Sequence, residues 1–130
     1  MLIGYFFDIQ TFTVDAIDTD QYQVKAIVRL NSAHKIFQGH FPGNPVVPGV
    51  CQVQMVKELA EKALQQSLRL RESDNIKFLS MIVPTADPIL DITLQIRNID
   101  NQQYTATAVI GSGEKVFLKF KGKFEIEADA

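Results

Sequence analysis

A single cysteine, Cys51, in 130 residues has no intrachain disulfide partner, as expected in a reducing compartment. There are two histidines, and His34 stands at no metal-ligand spacing from a cysteine or carboxylate, so neither a metal nor any other cofactor is expected. Thirteen Lys and Arg against fifteen Asp and Glu give a net charge of -2. With no dense basic block, this argues against nucleic acid as a partner. No apolar run approaches the roughly 20 residues of a membrane span, and the stretch from Met1 to Asp8 lacks the basic start of a signal peptide. A cytoplasmic chain with no membrane contact is expected. No repeat or low-complexity linker interrupts the sequence, and 46% hydrophobic with 22% charged residues suit one globular domain over 1–130.

Hydrophobic spacing divides the chain into elements. Phe6 to Ala16 reads as a strand, and after an Asp18-Thr19-Asp20 turn Tyr22, Val24, Ala26, Val28 and Leu30 alternate with polar neighbours as a second. Residues 31–48 read as a loop. From Gly49 the period changes: Val50, Val53, Val56, Leu59, Ala60, Ala63 and Leu64 recur at helical spacing to about Leu68, predicting a helix with one buried face. Pro48 suits its start, where the missing N–H is an orphan donor in any case. A polar stretch, 69–75, precedes a strand predicted over Ile76–Val83 and stopped by Pro84. Leu90, Ile92, Leu94 and Ile96 then alternate with Asp91, Thr93, Gln95 and Arg97. Strands from Tyr104 to Ile110 and around Val116, Leu118, Phe120 and Phe124 follow, with Lys119, Lys121 and Lys123 on the opposite face of the last. One helix among hairpin-linked strands makes the class α+β with an antiparallel sheet.

Chemistry concentrates in His40-Phe41-Pro42-Gly43-Asn44-Pro45-Val46-Val47-Pro48-Gly49-Val50. Three prolines stiffen this loop, and Gly43 and Gly49 remove side chains where another group could approach. An imidazole on a rigid loop beside a helix N-terminus combines a potential general base with a potential anion pocket. Solvated loop histidines are common, but the regularity of the segment argues for function.

This run resembles the signature of the bacterial 3-hydroxyacyl-[acyl-carrier-protein] dehydratases of fatty-acid synthesis, which have the hotdog fold, a sheet wrapped round one long helix. The resemblance implies dehydration of (3R)-hydroxyacyl thioesters to trans-2-enoyl thioesters, with His40 as base and the Gly49 N–H holding the thioester oxygen. Phe41, Gly43 and Val50 in the motif would contact substrate. So would Phe78 and Met81, with Val83, on the strand that helps line the family's acyl tunnel. It also implies a phosphopantetheine-linked acyl substrate on an acyl carrier protein, and a dimer with sites at its interface.

One position departs from the family. Where it places a Glu or Asp, fourteen residues after the histidine, this chain has Gln54. An amide hydrogen-bonds but does not protonate a leaving hydroxyl, and general acid catalysis typically contributes about 10²- to 10⁴-fold. Glu58, one turn on, reads as an exposed helical carboxylate. Four readings stay open: a dehydratase relying on His40 alone, one half of a mixed dimer whose partner supplies an acid, an acyl thioesterase, or a non-catalytic carrier-binding subunit. Cys51, in the first helical turn, is read as packing. An acidic carrier calls for a basic docking surface, with Lys119, Lys121, Lys123 and Lys115 or Arg69 and Arg71 as candidates.

Overall fold

The alternating runs on either side of Asp18-Thr19-Asp20 form an antiparallel hairpin, β1 (Phe7–Ala16) and β2 (Gln21–Leu30). The structure, a computed structural model, describes residues 1–39, 43 and 45–127. His40 and Phe41, to which the sequence assigned site roles, lie outside the described residues. A short helix, α1 (Ile36–Gly39), leads toward the long one, α2 (Gly49–Leu64). Four strands follow: β3 (Leu68–Phe78), β4 (Ile89–Asn98), β5 (Gln103–Ser112) and β6 (Lys115–Ile126). They join the hairpin in one antiparallel sheet of order β1-β2-β4-β5-β6-β3.

The two-residue period assigns one sheet face to the core. Val24, Ala26 and Val28 of β2, Leu90, Ile92, Leu94 and Ile96 of β4, and Phe120 and Phe124 of β6 are buried in one cluster with Met55, Val56, Leu59 and Ala60 of α2. This is the expected α+β hotdog arrangement. A bulge in the β5–β6 pairing breaks the alternation of β6. Ile110 pairs with Leu118 but Gly111 with Val116, so Phe117 is the extra residue and turns inward, fully buried. Gly111 is needed there, because a Cβ would stand 2.6 Å from the Lys115 carbonyl oxygen.

Several sequence expectations are corrected. The helix stops at Leu64 because Gln65 takes a left-handed conformation, φ 56°, which turns the chain so that Leu68 enters the core as the first residue of β3. The strand expected at Ile76–Val83 lies earlier, at Leu68–Phe78. Its polar residues 69–75 pair with β6 on one side only. As a charged edge strand with two register shifts it discourages unwanted pairing and needs no apolar alternation. Met81 and Val83 therefore sit beyond the strand. The segment 31–48 is not all loop, since α1 lies within it; the His34 Nδ1 accepts the Ile36 N–H at 3.1 Å and its ring meets Phe6 edge-on. The buried stripe of α2 is also rotated from the expected one. Cys51, Gln52, Met55, Val56, Glu58, Leu59 and Ala60 are buried, Val53 and Ala63 are half-buried, and Val50 is exposed.

Candidate active site at the start of the long helix

The backbone before α2 is tied down at three points. The Val47 N–H donates to the Ile82 carbonyl at 2.9 Å, the buried Gln52 amide donates to the Val47 carbonyl at 3.3 Å, and Pro48 (φ -60°, ψ 146°) leads into the helix. The Pro48 carbonyl receives the N–H groups of Cys51 and Gln52. The Gly49 and Val50 amides are then left as first-turn donors, with no acceptor among the described residues. Earlier in the motif, Gly43 has φ 87°, a turn conformation that disfavours any other residue.

Gly49 lies under the ring of Phe78, and a Cβ on it would be 2.8 Å from the Phe78 Cζ. Glycine is thus what allows the ring and the helix start to approach. Around them Val50 (76% exposed), Phe78 (53%), Leu79 (52%) and Met81 (75%) make an apolar patch beside those two amides. The structure brings together Gly49, Val50 and Phe78, all assigned from sequence. Cys51 points the other way, buried, with its thiol pKa raised by that burial, which fits packing.

Gln54 is half-buried one turn further on, and its Nε2 donates to the Glu58 Oε2 at 2.8 Å. Glu58 is not the exposed carboxylate expected: it is 3% exposed. Its oxygens also accept the Leu2 N–H at 2.8 Å and the Ile3 N–H at 2.9 Å. Those amides are held over the helix because the chain turns tightly at Gly4, φ 86°, with Tyr5 and Phe6 N–H groups bonded back to the Leu2 carbonyl. The i, i+4 spacing of Gln54 and Glu58 was the available sequence signal. Nothing in periodicity announced that residues 2 and 3 would supply the donors. A second residue missed was Gln52, 3% exposed, whose Oε1 has no hydrogen-bond partner among the described residues.

The basic candidates separate by pairing. Arg69 and Arg71 both reach Glu125, and Lys115 pairs with Asp87 at 3.2 Å. On the outer sheet face Lys119 lies in register with Lys77, and neither they nor Lys121 has an ion-pair partner among the described residues. Two lysines directly opposite repel, so this face carries uncompensated positive charge.

Comparison with known proteins gives a consistent result. The family model "ApeI dehydratase" (ApeI-like) matches residues 16–116. A 3-hydroxyacyl-[acyl-carrier-protein] dehydratase FabZ of Oenococcus oeni is 37% identical over 67 residues, covering 46% of this chain and 48% of that protein. That of Enterococcus faecalis is 29% identical over 122 residues, covering 88% and 78%. The chain thus spans about half or less of some curated relatives it matches. Among solved structures, an uncharacterized protein from Erwinia carotovora is 26% identical with a TM-score of 0.67, covering 92% of this chain and 94% of that one. The dehydratase heterocomplex ApeI:P from Xenorhabdus doucetiae, 19% identical with a TM-score of 0.57 over 87% and 94% of the two chains, shares the fold.

Proposed function

Because the chain belongs to the ApeI-like dehydratase family, we propose that it removes water from 3-hydroxyacyl thioesters to give trans-2-enoyl thioesters in acyl-chain synthesis. The observation that carries this reading is the Gly49 amide at the start of α2, without an acceptor among the described residues, under the Phe78 ring and one turn before Gln54. That N–H donates to the thioester oxygen as negative charge develops on it, a role worth about 2.7–4 kcal/mol to the transition state. His40 takes a proton from C2. The same proton goes to the 3-hydroxyl, the C3–O bond breaks, and water leaves as the C2–C3 double bond forms. With Gln54 where the family has an acid, His40 serves as base and then as acid, and Gln54 holds the hydroxyl. The apolar side chains of Val50, Phe78 and Met81 line the path of the acyl chain, and the motif residues Phe41 and Gly43 contact substrate as the family resemblance implies.

The substrate arrives on an acyl carrier protein, as the names of the FabZ relatives indicate for those enzymes. The uncompensated charge of Lys77, Lys119 and Lys121 suits an acidic carrier. A second hotdog chain covers the apolar patch and completes the site. It is either another copy or a paralogue; a fold neighbour, ApeI:P, is named a dehydratase heterocomplex. Met81→Asp, at a 75% exposed position, costs the fold little but buries an unpaired charge in such an interface. It is expected to shift the protein to monomers in sedimentation and to reduce turnover with them. A variant that stays oligomeric counts against this face as the contact. The activity itself is tested by enoyl thioester absorbance with the purified chain, alone and with an acid-bearing paralogue. Activity alone supports the single-histidine route, activity only with the paralogue supports the mixed dimer, and thioester hydrolysis in place of enoyl product removes the dehydratase reading.

A further inference from the structure

Resting on the dehydratase reading above, we propose that Glu58 is a positioning residue that fixes the polarity of Gln54, so that Gln54 meets the substrate's 3-hydroxyl with its carbonyl oxygen, as an acceptor. A glutamine amide has a donor end and an acceptor end of nearly equal shape, and either can face a ligand. Here one neighbour decides. The Glu58 carboxylate can only accept, and it lies 2.8 Å from one end of the Gln54 amide. Turning the amide over would set two oxygens against each other at that distance in a buried place. One of the two nitrogen hydrogens is therefore committed to Glu58, and the oxygen, at the amide's other end, is left for another partner.

Glu58 cannot yield by rotating away, because the Leu2 and Ile3 N–H groups hold its oxygens at 2.8–2.9 Å. A buried carboxylate with donors on both oxygens is a fixed reference for the amide beside it. The consequence for chemistry is specific. A hydroxyl has one donor hydrogen and two acceptor lone pairs. If its hydrogen goes to the Gln54 oxygen, a lone pair stays free to receive the proton that His40 carries from C2. A Gln54 donating its N–H would instead take one of the two lone pairs and leave the hydroxyl hydrogen without this acceptor. The carboxylate of this chain thus stands one turn away from the family's position and acts through Gln54.

Glu58→Gln inverts the arrangement. The single oxygen of the introduced amide is drawn to the two backbone N–H groups, its nitrogen then faces Gln54, and the Gln54 oxygen must turn inward to accept it. The nitrogen of Gln54 is left facing the ligand.

The test is a binding comparison of 3-hydroxyhexanoyl- and 3-oxohexanoyl-pantetheine, made in a His40→Ala background so that neither ligand is turned over. The hydroxyl can donate at C3, whereas the ketone can only accept. With Glu58 present, the hydroxy ligand is expected to bind about 3- to 10-fold tighter, the range of one net hydrogen bond. Glu58→Gln should erase or reverse that order. The double exchange Gln54→Glu with Glu58→Gln should restore it, because the carboxylate introduced at position 54 again offers an oxygen. A purely structural Glu58 would weaken both ligands equally. Equal or better binding of the ketone with Glu58 in place overturns the proposal without any change at position 58, as does an unchanged ratio in Glu58→Gln. The dehydratase reading fails separately: a native chain that prefers the hydroxy ligand but forms no enoyl product removes that reading and leaves the polarity assignment intact.

Discussion

Replacing His40 with alanine is expected to lower enoyl thioester formation by at least about 10²- to 10⁴-fold, the range of general acid–base catalysis, with almost no change in melting temperature. The proposed reaction assigns His40 both proton transfers, and an alanine supplies neither. The helix start is built by other contacts: Val47 is bonded to Ile82, Gln52 to Val47, and Pro48 to Cys51 and Gln52. Stability is therefore expected to follow the core, in which Met55 and Leu59 are fully buried, and turnover to follow the imidazole. Kinetics and thermal unfolding of the same sample check this. A variant that unfolds, or one that keeps full activity, makes His40 structural or incidental.

The second large effect belongs to Gln54→Glu, expected to raise dehydration by up to about 10²- to 10⁴-fold. The new carboxyl would stand where an amide now donates to Glu58 at 2.8 Å. Two carboxylates that close cannot both ionise, so the pair retains one proton. Because Leu2 and Ile3 N–H groups keep Glu58 as an acceptor, the proton resides on the introduced carboxyl, where it can go to the leaving hydroxyl. Mispositioning of an acid that lacks other supporting contacts would make the gain smaller. Equal dehydration by both forms would show that position 54 transfers no proton and leave the route through His40 alone.

The strand alternation of Leu90, Ile92, Leu94 and Ile96 was legible because one face of β4 is buried and the other is not. The same rule fails for β3, an edge strand whose mostly polar residues 69–75 pair on one side only. The length of α2 was overestimated because apolar spacing continues through Leu68, while the turn is made by the backbone of Gln65, a residue with no turn preference. At the site, Gly49 and the proline-rich loop could be read from local sequence. Glu58 could not: an acidic residue on a helix is ordinarily solvated, and what buries this one is a chain segment 55 and 56 residues away.

In this mechanism water leaves C3 and the thioester survives. Mass spectrometry of a 3-hydroxyacyl-carrier substrate incubated with the native chain in H₂¹⁸O measures both directly. Dehydration predicts a carrier-bound product lighter by one water, with ¹⁸O appearing only at C3 of substrate re-formed by the reverse reaction. A free hydroxy acid carrying ¹⁸O in its carboxylate, with no enoyl product, would contradict it.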